Sequence, residues 1–172
     1  MPLRPAKSYR NYYTRPYTRR EFVRSVPGLK IVHFEMGNVS GDFDTCLHLV
    51  ACESVQIRHN ALEAARVAAN RYLSKRTGSM GFKLKIYPYP HQILRENPMM
   101  TGAGADRVQD GMRKAFGKAI GAAAKVKAGQ RIMSVHISRK DLVHGKEALR
   151  RAGMKLPTPC RIMVETFEKA VA

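Results

Sequence analysis

The sequence predicts an α+β fold in which a mostly antiparallel sheet is covered on one side by two main helices. Three observations carry this. Apolar residues recur with a period of two at Leu29–Met36, Thr45–Glu53, Phe82–Tyr89, Ile132–Ile137 and Cys160–Phe167. Two segments between these runs have helical spacing and recognisable ends. The first two runs also lie close enough to pair as antiparallel neighbours, so strands and helices are grouped as in layered α+β domains. At 172 residues the chain reads as one domain, 1–172, large enough to bury about 70% of its unfolded surface without staples.

Charge narrows the partner class. Lys and Arg number 31 against 13 Asp and Glu, a net charge of +18 that calls for a polyanion, nucleic acid first. A membrane partner is disfavoured, because no run approaches the roughly 18 apolar residues of a spanning helix and the basic residues line no apolar amphipathic helix. Cys46, Cys52 and Cys160 fit neither a disulfide framework nor a zinc knuckle, and read as reduced core thiols of a cytoplasmic protein. Pro2, Pro5 and early charge argue against a signal peptide, and the prolines and tyrosines that follow argue against a transit helix.

Taken in order, residues 1–27 form a basic arm. Its first twenty residues hold six cations (Arg4, Lys7, Arg10, Arg15, Arg19, Arg20), no acid and four of the seven tyrosines, Tyr9 among them. Guanidinium groups fork onto phosphates and tyrosine rings stack on bases, so the interleaving suits irregular RNA. The plain alternative is a solvated tail, but such tails are normally poor in aromatics.

Leu29–Met36 is read as a strand with Val32, Phe34 and Met36 on one face, joined by GNVSGDFD to a strand over Thr45–Glu53. Cys46, His48 and Cys52 then share a face, but a metal or nucleophilic site would lack a fourth ligand or an orienting acid nearby. Ser54 is the expected N-cap of a helix through Arg76, burying Ile57, Ala61, Ala65, Ala68 and Tyr72, with Lys75 and Arg76 against its macrodipole and Gly78 as its stop. In Phe82–Tyr89, Phe82, Leu84 and Ile86 point inward. Lys83, Lys85, Tyr87 and Tyr89 point outward, as a stripe that suits RNA or, equally, as an ordinary solvated strand.

Asn97-Pro98 marks a turn into a long flexible internal loop over 98–130. Six glycines between Thr101 and Arg131 disfavour a continuous helix, and from Gly111 to Arg131 there are six cations and no carboxylate. A mobile linker is the plain alternative to a working loop. Beyond it, Ile132–Ile137 is a strand, Ser138 with Asp141 reads as a capping box, and Leu142, Leu149 and Ala152 mark the buried side of a second helix that Gly153 ends. Cys160–Phe167 is the last strand.

Catalytic motifs fail on inspection. In Gly111–Lys118, GMRKAFGK, the glycine spacing is wrong for a phosphate loop and Ala119 stands where a magnesium-binding hydroxyl would be. Gly102-Ala103-Gly104 lacks the third glycine of a dinucleotide site, and Asp106 and Asp110 are placed to pair with Arg107, Arg113 or Lys114. No catalytic residue, metal or cofactor is expected.

Four segments, AGADRVQDGMRKAFGK (Ala103–Lys118), ALEAARVAANRYLSKR (Ala61–Arg76), RPAKSYR (Arg4–Arg10) and EALRRAGMKLP (Glu147–Pro157), together resemble one family. It is the large-subunit ribosomal proteins called L-sixteen in bacteria and L-ten-e in archaea and eukaryotes. The resemblance runs in order over nearly the whole chain, and the insertion with the short end after the last strand is similar to the archaeal form. It implies a two-layer α/β sandwich of the hammerhead type and a structural role in the ribosome rather than an enzyme. It implies binding to large-subunit rRNA through the arm, and a loop reaching tRNA acceptor ends near the peptidyl-transferase centre. That loop corresponds to Thr101–Lys118, with Gly102, Gly104 and Asp106 among its tRNA-proximal residues and Arg107, Arg113, Lys114 and Lys118 as phosphate contacts. Neighbouring ribosomal proteins and assembly factors are the further partners it implies, with late entry into the particle. The residues alone leave two rivals, an RNA-processing or modification enzyme and a free nucleic-acid-binding regulator.

Overall fold

The computed structural model describes residues 5–13, 23, 25–96 and 118–167. In chain order the elements are β1 (Glu35–Gly37), β2 (Thr45–Ala51), β3 (Val55–Arg58), α1 (His59–Thr77), β4 (Phe82–Ile86), β5 (Gln92–Glu96), β6 (Lys118–Val126), β7 (Arg131–Ile137), α2 (Leu142–Gly153) and β8 (Cys160–Thr166). The architecture is α+β with antiparallel sheets and two helices, as the sequence predicts. The strands form two sheets rather than one: β1-β4-β7-β2-β8, and a smaller β3-β6-β5.

The large sheet follows from the period-two runs. In β4, Phe82, Leu84 and Ile86 are buried while Lys83 and Lys85 are only partly so, because alternate side chains of a strand point to opposite faces. Strand β2, between β7 and β8, is buried along all seven residues. Helix α2 packs on it through a small residue: a Cβ on Gly145 would lie 2.4 Å from Ile137 Cδ1 and 2.8 Å from Leu47 Cδ1. Helix α1 buries Leu62, Ala65, Ala69 and Leu73, stops at Gly78 with φ of 75°, and has Lys75 and Arg76 in its last turn. One apolar cluster joins both sheets and both helices, running from Leu47 and Phe82 through Leu62 and Ala65 to Ile57, Ala124 and Val126.

Several expectations are corrected. Leu29–Phe34 is not strand: Ile31 is the buried residue and Val32 is 70% exposed. β1 and β2 are not neighbours either, since β4 and β7 lie between them. Ser54 does not cap α1, because the chain first makes β3, and Ile57 lies on that strand. β-branched Val55 and Ile57 with buried Gln56 fit a pleated surface better than a first helical turn. Ala68 and Tyr72 flank the helix's buried stripe rather than forming it. Within the segment expected to be loop, Lys118–Val126 is the central strand of the small sheet, and Gln92–Glu96 before it is an edge strand. Ser138 and Asp141 make no side-chain capping bond; a single 3-10 turn, Arg139–Asp141, leads into α2 instead. Of the three free cysteines, Cys46 is buried and Cys52 is exposed, so Cys52 is not a core thiol.

Candidate nucleic-acid interface

The arm is anchored on the small sheet. A 3-10 turn at Ala6–Tyr9 leads to Asn11, which bridges to Val55 on the free edge of β3. The Gln56 backbone N–H donates to the Arg10 carbonyl at 3.0 Å, and the Gln56 side-chain amide to the Asn11 carbonyl at 2.6 Å. This pairing covers an edge that would otherwise present unmatched backbone groups. The Tyr9 hydroxyl donates to Glu96 at 3.0 Å, with the Arg58 guanidinium 5.5 Å from the Tyr9 ring centroid. Lys125 Nζ lies 5.0 Å from the Tyr12 ring. Tyr12 and Tyr13 meet edge to face at 5.6 Å, and Tyr13 is 84% exposed.

Of the predicted arm residues, Lys7, Tyr9 and Arg10 are thus brought together. Lys7 and Arg10 line a cleft of ≈ 400 Å³ with Tyr12, Tyr13 and Glu53, and Arg10 is ion-paired to Glu53. Arg4, Arg15, Arg19 and Arg20 lie outside the described residues, as do Gly102, Gly104, Asp106, Arg107, Arg113 and Lys114. Lys118 is exposed at the start of β6, in register with Glu96 at the end of β5. The described residues on either side of 97–117 are therefore paired. Arg58 is the contributor that sequence reasoning missed; its place beside the arm depends on β3, whose Ile57 falls in step with the helical spacing of Ala61 and Ala65 and so reads as part of α1.

Lys83 and Lys85 stand apart from the arm, on the large sheet's face away from the helices. Lys85 Nζ pairs with Glu35 at 2.6 Å, and Lys83 Nζ donates to the Val39 carbonyl at 3.0 Å. The hydrogen bond and charge between Lys85 and Glu35 lower the Glu35 pKa and raise that of Lys85. In the middle of this face His48 Nδ1 lies 2.5 Å from Ser134 Oγ and His48 Nε2 lies 3.1 Å from Glu165, while Ser134 Oγ donates to the Tyr87 hydroxyl at 3.0 Å.

A serine, a histidine and a carboxylate in line look like a hydrolytic relay, but Ser134 is 0% exposed and its proton is engaged, so no substrate reaches it. Burial pushes the Cys46 thiol up to about 11, which removes it as a nucleophile near neutral pH. Its Sγ is 3.5 Å from His136 Nε2 and 3.8 Å from His48 Nδ1, whereas exposed Cys52 does not join them. Among the described residues no three His, Cys, Asp or Glu side chains are placed to hold a metal ion.

The same network carries a pH prediction. Burial, reinforced by Lys83, His48 and Lys85, holds the His136 imidazole below its ordinary 6.5. The unfolded chain then binds more protons as pH falls through that value, so stability present above it is lost on acidification. The thermal midpoint should be lower at pH 5 than at pH 7, and the drop should be smaller in His136→Gln; equal drops in the two proteins would contradict this.

With that geometry in place, the comparisons with known proteins are specific. The family described as Ribosomal protein L16p/L10e matches residues 12–163. Proteins named large ribosomal subunit protein uL16 are similar over almost their full length. That of Staphylothermus marinus is 59% identical over 168 residues, covering 98% of this chain and 97% of its own. That of Archaeoglobus fulgidus is 54% identical over 165 residues, 96% of this chain and 94% of its own. That of Methanococcus aeolicus is 50% identical over 164 residues, 95% of each. A family match over most of the chain and identities at this level leave one assignment: the chain belongs to the ribosomal protein L16p/L10e family, in its archaeal form.

Proposed function

We propose that this chain binds large-subunit rRNA through its arm and the cations gathered around it, and that the insertion between β5 and β6 reaches tRNA acceptor ends near the peptidyl-transferase centre. Membership of the family makes it a structural constituent of the large ribosomal subunit, acting in translation and not as an enzyme. The observation that carries the finer reading is the arm's anchoring. Arg58 lies against Tyr9, Lys125 against Tyr12, and Lys7 and Arg10 line a cleft with Tyr12 and Tyr13, so cations and aromatic rings are held side by side on a scaffold.

Arg4, Arg15, Arg19 and Arg20 extend the positive charge along the arm, and Lys83 and Lys85 supply a second basic patch. Gly102, Gly104, Asp106, Arg107, Arg113, Lys114 and Lys118 belong to the tRNA-facing insertion. The paired exit and entry of that insertion at Glu96 and Lys118 suit a projection built on a rigid base. Assembly factors acting late on the cytoplasmic particle complete the set of partners. The test is sedimentation of cell extract: the chain should travel with large subunits at one copy each, and recovery chiefly outside ribosomes would overturn the reading.

A further inference from the structure

A further basic site lies away from the arm and from Lys83 and Lys85, in a cleft of ≈ 670 Å³ between the C-terminal ends of α1 and α2. Ala68, Arg71, Tyr72 and Lys75 line one wall, at the i, i+3, i+4, i+7 spacing that places side chains on one helix face. Arg151 of α2, with Met154 and Lys155 just beyond it, lines the other.

The cations fall into two kinds. Arg151 is fixed: its Nε donates to Glu147 at 2.7 Å, and its guanidinium carbon sits 4.3 Å from the Tyr72 ring centroid. Arg71, Lys75 and Lys155 make no ion pair among the described residues, whereas Arg10, Arg66, Lys85, Arg131, Arg150 and Arg151 all have carboxylate partners. Compensation of helix dipoles accounts for Lys75 and Arg151, which lie in last turns, but not for Arg71 or for Lys155 beyond the end of α2. Between these charges Met154 is 71% exposed.

We propose that this cleft seats one extruded nucleotide of ribosomal RNA, with its phosphodiester on Arg71, Lys75 and Lys155 and its base against the Arg151 guanidinium and Met154. The inference rests on the RNA-binding reading above and adds a place and a binding mode to it. Three cations without carboxylate partners match a phosphate, and a guanidinium seated 4.3 Å from the centre of an aromatic ring adds the planar group on which unstacked bases lie. An acidic peptide would use the charges but would have no need of the planar guanidinium beside an exposed methionine.

The test measures binding of the full chain to a transcript of large-subunit rRNA, with 2′-hydroxyl acylation reporting each nucleotide. Arg71→Ala/Lys75→Ala/Lys155→Ala should bind at least about tenfold more weakly, lower the salt slope by about 1, and expose one discrete nucleotide that the wild type protects. A matched triple at exposed cations elsewhere, Lys127→Ala/Lys140→Ala/Lys146→Ala, should keep that protection. Arg151→Lys keeps the charge but not the plane, and should lose the same protection with little change in slope. All variants should melt with the wild type. Equal losses in the two triples with an unchanged protection pattern would make the cleft ordinary solvated surface. Normal RNA binding and protection with reduced incorporation into particles would assign it to an acidic protein segment. Either result overturns the proposal, and failure of the wild type to bind the transcript would instead sink the RNA reading as a whole.

Discussion

Phe82→Ala is expected to lower the free energy of unfolding by about 3–5 kcal/mol, a large share of the roughly 5–15 kcal/mol that holds a domain folded. Phe82 is the largest fully buried side chain among the described residues, at 1% exposure. It opens β4, in register with Ile137 of β7, and its carbonyl accepts the Asn38 N–H at 2.9 Å. Truncation would leave a cavity where the large sheet meets its covering layer, in a cluster that also includes Leu84, Val135 and Ile137. Denaturant titration measures the loss. A decrease below about 1 kcal/mol would mean that the site collapses freely and that β4 is not central to the core.

The second large effect should be on binding and leave stability untouched. Arg113→Ala/Lys114→Ala/Lys118→Ala removes three cations from the insertion, of which Lys118 is exposed at the first position of β6. Large subunits reconstituted with this variant should bind a tRNA acceptor-end fragment at least about tenfold more weakly, with the salt slope reduced by about 0.7 for each phosphate no longer neutralised. The isolated chain should unfold at the wild-type midpoint. A clear drop in that midpoint would make the segment part of the folded core, and unchanged binding would remove tRNA from the partners.

How far the fold can be read from the sequence follows side-chain size. β4, β7 and β8 have bulky apolar residues in alternation, and α1 and α2 have their glycine stops, so period and punctuation locate them. The small sheet escapes such a reading because its bulk is unevenly shared. β6 reads KAIGAAAKV, and its Gly121, Ala122, Ala123 and Ala124 are buried. Ala124 pairs with Ile57 and Ala122 with Ile93, so the large side chains come from the neighbouring strands. The smallness has a cause at Gly121, where a Cβ would stand 2.9 Å from His59 Nε2. His59 cannot easily yield, because its Nδ1 accepts the Lys30 backbone N–H at 2.8 Å. Alanine and glycine carry little strand preference of their own, and packing decides the matter.

The candidate interface divides the same way. Lys7, Tyr9 and Arg10 draw notice because cations and tyrosines interleave within twenty residues; the arm's later cations and those of the insertion before Lys118 lie outside the described residues. Arg58 and Lys125 come to the arm only through the β3–β6 pairing, in which Gln56 stands opposite Lys125 and Arg58 opposite Ala123. The cleft cations Arg71, Lys75 and Lys155 meet only because α1 and α2 pack side by side. No local pattern announces a site whose parts lie about eighty residues apart in sequence.

The most direct measurement is the affinity of the full chain for a large-subunit rRNA transcript between about 50 and 200 mM salt. If the net charge of +18 serves to bind that RNA, log affinity should fall linearly with log salt, by about 0.7 to 0.9 for each of several phosphates engaged. An affinity that does not change across that range would contradict the account.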